Sequence, residues 1–387
     1  MGIYAEYLDR KFNITQLVQE RKNQLSRISQ LRGGRDVLVF AANLANGRQP
    51  IAINYTDLLP FNDQLSNLSG NAIDIILETP GGSGETVEDM VKLLRAKYES
   101  IGVIVPGVAK SAGTIFAMAA DEILMEPASS LGPIDAQISW QGKVFSAHAL
   151  LEGMKKIKEE VIDTGSLNRA YVPILQNISP GELQGAQNAY DFALELVADW
   201  LVRFKFREWT VHQSTGQTVT PEQRFERAKD IAEKLRDHGR WKTHGRSIKI
   251  EDLRALRLRI TDYSEKAELC DAIRRYYTLL QMTFDSNVFK LFETPRSQIM
   301  RMESIQNIAQ PAELPGGAQA IAFDFVCGKC KTKMRVLAPF EPGAPVPQGA
   351  VLFPADNKLK CQGCGTEHDL ATARRQLEGQ AGKPIVS

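Results

Sequence analysis

Two glycine-rich turns hold the residue types best suited to chemistry in this chain. Leu77-Glu78-Thr79-Pro80-Gly81-Gly82 follows the apolar run Ile73-Asp74-Ile75-Ile76-Leu77, and Gly107-Val108-Ala109-Lys110-Ser111-Ala112-Gly113-Thr114 follows Ile101-Gly102-Val103-Ile104-Val105. Each reads as a buried strand that breaks at glycine into a helix. A serine on such a turn lifts its hydroxyl out of the sheet, beside backbone N–H groups with no helical partner. Ser111 is therefore a candidate nucleophile. Gly81, Gly82 and Ala112 are candidate oxyanion donors, the glycines because no Cβ keeps a substrate carbonyl at a distance. The plain alternative is that Ser111 only caps its helix.

A second chemistry lies near the end of the sequence. Cys327-Gly328-Lys329-Cys330 and Cys361-Gln362-Gly363-Cys364-Gly365 are two Cys-x-x-Cys knuckles separated by 30 residues. Four thiolates at that spacing suit a tetrahedral structural zinc and resemble a zinc ribbon. Disulfides would strand the fifth cysteine, Cys270, in a helical segment. Residues 321 to 387 offer few large apolar side chains, so the metal is expected to contribute much of their folding free energy. Lys329, Lys331, Lys333 and Arg335 leave nucleic acid as one use of the ribbon, but recruitment of a partner protein or assembly fits better.

Positioning these groups requires alternating strands and helices. Val37–Phe40, Asn71–Leu77 and Ile123–Met125 read as strands, and 84–98 as a helix with Val87, Met90, Val91 and Leu94 on one face. Continuous apolar strands between helices predict a largely parallel sheet covered on both sides, with function at the strand C-terminal ends. Residues 1–33 read as a polar helical arm whose apolar stripe, with Phe12, Leu17 and Leu25, is thin enough to stay solvated or to meet a partner. Ser179-Pro180-Gly181-Glu182 and Thr220-Pro221-Glu222-Gln223 open two helices of an insert over about 179–240. A helix and linker follow over 284–320, with the linker near Pro311 to Gly317, and the ribbon occupies 321–387.

Composition narrows the class. The 47 Lys and Arg balance 46 Asp and Glu, and 43% of the residues are hydrophobic, which is ample for a core. Residues 200–260 carry 15 Lys and Arg against 8 Asp and Glu, but without aromatic residues interleaved at stacking positions this reads as a solvated face rather than a nucleic-acid site. The start lacks a basic segment leading into an apolar run, and no run of 18 apolar residues occurs, so the expectation is a cytoplasmic protein without a membrane span.

Thr-Pro-Gly-Gly, then Ala-Lys-Ser-Ala-Gly-Thr, then Ala119-Ala120-Asp121-Glu122-Ile123 and Leu131-Gly132-Pro133-Ile134-Asp135 together resemble the Clp-fold serine peptidases. These include the Clp proteolytic subunit and signal peptide peptidase A, with the bacterial serine dehydrogenase proteinases as the nearest family. The resemblance spans roughly residues 35 to 265 and implies an α/β Clp/crotonase-like fold, a peptide or protein substrate and a homo-oligomer. It also implies a departure, because Asp135 stands where Clp proteolytic subunits carry their histidine. Aspartate is a weak base, its ordinary pKa of about 3.9 lying far below neutrality.

Two other bases are open. Signal peptide peptidases use a buried lysine. Among the lysines of 147–161, Lys158 falls within the apolar arc of Ala147, Leu150, Leu151, Met154, Ile157 and Val161. The bland reading is a lysine snorkelling from the edge of a core helix. His244 is the other candidate. It lies beside Gly245, which takes the position of the Clp triad aspartate, and Asp135 would orient it in a triad rearranged in sequence. His148, His212, His238 and His368 have no such placement. The expected protein is a serine peptidase working through Ser111. A catalytically inactive scaffold recruiting partners through the ribbon and a crotonase-like acyl-CoA enzyme are the alternatives. Neither a nucleotide fingerprint nor a lysine motif for pyridoxal phosphate accompanies the family's name.

Overall fold

The computed structural model describes residues 2–140, 143–212, 216–303, 320–381 and 383–386. The linker expected near Pro311 to Gly317 lies outside them. The chain divides into two compact units: Lys22–Tyr277 with Lys290–Met300, and Met1–Arg21 with Thr278–Phe289 and Arg301–Ser387.

The larger unit is built on a seven-stranded sheet in the order Gln298–Met302, Val288–Glu293, Asp36–Ala42, Ala72–Glu78, Ser100–Ile104, Glu122–Met125 and Thr261–Asp262. The strands from Asp36–Ala42 to Thr261–Asp262 are parallel, while Val288–Glu293 runs antiparallel to Asp36–Ala42, pairing Phe40 with Phe292. Ile73, Ile75, Ile76 and Leu77 are all fully buried, as a sheet covered on both faces requires. Each such side chain contributes about 1.5–3 kcal/mol of burial. Asp74 interrupts this apolar run because Arg32 and Arg35 hold it, at 2.6 and 2.7 Å. Helix Gly84–Lys97 lays Val87, Met90, Val91 and Leu94 on the sheet, with Ser83 capping it through the Thr86 N–H.

The two boxed helices form where their caps predict, over Pro180–Trp200 and Pro221–Arg236. Three expectations need correction. Residues 288–302 form two sheet strands rather than a helix, the near-continuous apolar Val288, Phe289, Leu291 and Phe292 suiting a strand buried on both faces. The N-terminal arm is two helices, Ile3–Arg10 and Ile14–Leu31, that bury rather than expose their stripe. Tyr7 and Leu17 cluster with Leu279, and Leu25 and Ile28 are fully buried. The cysteine module also has its own apolar core, including Ile321, Phe323, Val336, Phe353, Leu359 and Leu377, on strands Ala320–Val326 and Lys333–Pro339 and helix Ala371–Ala381.

Candidate active site

Both glycine-rich turns fall at the C-terminal ends of parallel strands and are stitched together. The Thr79 N–H donates to Val108 O at 2.9 Å, and the Lys110 N–H to Thr79 O at 3.1 Å. Beneath them Glu78 accepts from the Val108 N–H at 2.8 Å and from the Tyr277 hydroxyl at 3.2 Å, and burial raises its carboxyl to about 7. Ser111 sits at φ +51°, ψ −118°, a conformation that non-glycine residues rarely adopt and that functional turns maintain against strain. It precedes helix Ala112–Met118 but its hydroxyl makes no capping bond, so capping does not account for it.

The glycines divide their work. Gly81, at φ +108°, approaches so closely that a Cβ would lie 2.6 Å from Ser111 Cβ and 3.2 Å from Ala112 N. Its own N–H is taken by Thr79 Oγ1 at 3.1 Å, so Gly81 supplies space, not the oxyanion donor the sequence allowed. Gly82 lies on Ile53, whose N–H donates to Gly81 O and whose carbonyl accepts from the Ser83 N–H. The Gly82 and Ala112 N–H groups donate to no acceptor among the described residues. The Ile53 segment is itself anchored. Fully buried Lys290 donates to Ala52 O at 2.9 Å and ion-pairs with fully buried Asp57 at 2.8 Å.

Asp135 is buried on the loop after Leu131, with its side chain inaccessible. Its Oδ1 meets His244 Nδ1 at 2.7 Å. Burial works against its charge, but the bond and charge of His244 and the bond of His238 prevail, holding the carboxyl below its ordinary range. His238 was missed in the sequence. Its Nδ1 lies 3.1 Å from Asp135 Oδ2, which also accepts from Gln137 Nε2 at 3.0 Å. A carboxylate bracketed in this way has little freedom to rotate, and so has the imidazole it holds. Lys158 is the opposite case. It is exposed on helix Ala147–Thr164, whose sole buried residue is Ala147, so the apolar enclosure expected around it is missing.

Two contacts bring the His244 loop to the Ser111 turn. Lys110 Nζ reaches Gly245 O, Arg246 O and Ser247 Oγ at 3.2, 2.8 and 3.0 Å. Leu131 and Ile248 exchange backbone hydrogen bonds, both at 3.0 Å.

The four cysteines of the other unit converge. Sulfurs of Cys327, Cys330, Cys361 and Cys364 all lie within 4.8 Å of one another. The knuckles are built alike. The Cys327 N–H donates to Thr332 O and the Cys361 N–H to Thr366 O, each at 2.9 Å, while Lys331 and Gly365 take the matching left-handed positions. Hydrogen bonds from Thr332 bring the Cys330 thiol down to about 6, towards the thiolate that a metal binds. His368 Nε2 stands 3.2 Å from Cys327 Sγ, a neighbour the sequence did not indicate. The donor set fits a thiophilic ion.

Residues 66–203 match the family model described as ClpP-like SDH-type serine proteinase. Two uncharacterised proteins of Methanocaldococcus jannaschii are similar. MJ0137 is 30% identical over 48% of this chain and 52% of its own length, and MJ1495 is 28% identical over 54% and 56%. The chain thus spans about half the length of the curated relatives it matches. Among solved structures, a mutant of ClpP1 from Listeria monocytogenes is 15% identical with a TM-score of 0.29, over 62% of this chain and 99% of its own. A mutant of the membrane-bound stomatin-specific protease 1510-N is 22% identical with a TM-score of 0.23, over 30% and 60%. No helix among the described residues is long and apolar enough to cross a membrane. Residues 66–203 are thus similar to the ClpP-like SDH-type serine proteinases, and the findings support a fold of the Clp serine-peptidase kind.

Proposed function

We propose that this chain hydrolyses peptide bonds with Ser111 as nucleophile and His244 as general base, oriented by Asp135. With Nδ1–H of His244 donated to the carboxylate, Nε2 keeps its lone pair for the serine proton. Ser111 Oγ then bonds to the scissile carbonyl carbon, and the Gly82 and Ala112 N–H groups receive the oxyanion. His244 passes the proton to the departing amine, and a water activated by the same imidazole releases the acyl group and restores the serine. The observation that carries this reading is the 2.7 Å bond from His244 to a buried carboxylate on a loop tied to the serine turn. Exposure of Lys158 argues against the lysine alternative. The test is labelling by an activated fluorophosphonate with casein hydrolysis in parallel. Native protein should label and cleave, Ser111→Ala should do neither, and His244→Ala should lose at least about 10²–10⁴-fold. An unlabelled native protein would favour a scaffold or an acyl-CoA enzyme.

The ion at the four cysteines is zinc on this reading, held structurally with no open position for substrate. Assembly into a homo-oligomer is part of the same proposal. It is supported by exposed apolar side chains such as Val144 and Ile162, 70% and 68% accessible.

A further inference from the structure

We propose that Lys110, the residue before the nucleophile, is a positioning residue whose ammonium clasps the loop after His244 to the Ser111 turn and so keeps base and nucleophile in register. This rests on the reading of Ser111 and His244 as nucleophile and base.

A lysine ammonium has three N–H donors and no acceptor. Three acceptors meet it here: Gly245 O, Arg246 O and Ser247 Oγ, at 3.2, 2.8 and 3.0 Å. With all three protons engaged, no lone pair remains, so the group beside the serine in sequence is a cationic tie and not a proton acceptor. Its near end is equally constrained. The Lys110 N–H donates to Thr79 O at 3.1 Å, and Lys110 O accepts from the Gly113 N–H at 2.7 Å. Gly132 presses against its stem, where a Cβ would come within 2.6 Å of Cδ.

The loop it grips has little else. Residues 245–247 are exposed, and their other bonds run to Thr243, at 3.1 Å from the Arg246 N–H and 3.4 Å from the Gly245 N–H. Ile248, held by Leu131, marks the far end of that span. His244 stands on the near end, so without the clasp its imidazole is located only by Asp135, a pivot about which the ring can swing.

Charge adds a signature. Burial, and then the neighbouring Lys249 ammonium, lower the pKa of Lys110 to about 8. Lys249 is itself tied to Ala128 O and Ser129 O, at 2.7 and 2.9 Å, while Arg246 and His244 stand on the clasped loop. Above about pH 8 the ammonium loses one of its three donors, and the clasp slackens.

The experiment measures kcat and KM from pH 6 to 10 for native protein, Lys110→Arg and Lys110→Met, beside Ser111→Ala and His244→Ala. Lys110→Met should lose roughly 10²-fold in kcat with KM near native, the scale of a displaced catalytic group. Lys110→Arg should recover much of that loss. Its rate should stay level above pH 8, where the native rate declines. A Lys110→Met protein with native kcat overturns the proposal. So does a Lys110→Arg protein as inactive as Lys110→Met with a native rate that climbs through pH 8, since the lysine would then be the base. If Lys110→Met does not fold, Ser247→Ala removes a single acceptor and should lose several-fold in kcat, and a native value there overturns the clasp. Activity surviving in Ser111→Ala or His244→Ala would instead sink the underlying reading, because neither change removes the clasp.

Discussion

Replacing Gly81 with alanine should disable the nucleophile without touching any group that takes part in the chemistry. The added Cβ would stand 2.6 Å from Ser111 Cβ and 2.8 Å from Lys110 O, while ordinary contact begins at 3.4 Å, so about 0.8 Å of movement is forced. Lys110 O is held by the Gly113 N–H at 2.7 Å, which leaves the Ser111 side to yield. Alanine at φ +108° adds backbone strain of about 1–2 kcal/mol, and overpacking adds about 1–3 kcal/mol. For a unit of this size those costs translate to a melting temperature lower by roughly 5–20 °C. A nucleophile displaced by nearly 1 Å loses about 10²-fold in rate. The assay is kcat on casein or a peptide, with the fluorophosphonate labelling rate and a thermal melt on the same preparation. A folded Gly81→Ala protein that labels and cleaves at native rates would refute the placement of this glycine against the serine.

Asp135→Asn should lower kcat by on the order of 10⁴ by favouring the wrong His244 tautomer, while His238→Gln should cost only a few-fold. Equal losses would mean that the two histidines share the role. Lys158→Ala should keep kcat within about twofold of native, and a dead variant would restore the lysine base. Glu78 has a carboxyl raised from 4.5 to about 7, so as pH rises the unfolded chain gives up this proton before the folded one, and stability falls across that window. The difference is on the order of 3 kcal/mol. Glu78→Gln should flatten the dependence of melting temperature on pH between 4.5 and 7, and an unchanged slope would remove Glu78 as its source. Elemental analysis should find one zinc per chain, lost on changing Cys327, Cys330, Cys361 and Cys364 to serine. A strong chelator should expose that module to protease while residues 22–277 melt as before, and metal-free native protein would refute the site.

The two glycine-rich turns were legible because their signal is local: an apolar run, a glycine break and a serine at a fixed step. The same holds for the cysteine knuckles and for the helices opened by Ser179 and Thr220. What the sequence hid depends on partners far along the chain. His238 meets Asp135 across 103 residues, and its Asp-His-Gly surroundings look like any surface turn. Lys158 shares an arc with apolar residues, but an arc does not say whether the face turns inward, and in this helix it stays largely open. The N-terminal stripe is thin by itself, because Leu279, which completes its cluster, is supplied more than 250 residues later. Gly81 and Gly82 were indistinguishable as donors until Thr79 claimed one of the two N–H groups.

The ion pair of Lys290 and Asp57 joins residues 233 positions apart, and it bears on when the proposed site can form. During synthesis, the chain that has just delivered Ser111 and even His244 still lacks Lys290. Asp57 then lacks that ammonium, and burying its carboxylate without it is costly, which works against closing the segment around it. Ile53 belongs to that segment, and it seats the Gly82 turn. Asp36–Ala42 waits as well, an edge without its antiparallel neighbour until Val288–Glu293 leaves the ribosome. On the proposed reading, a growing chain therefore carries its serine turn long before the segments that complete the Gly82 side of the pocket have been made.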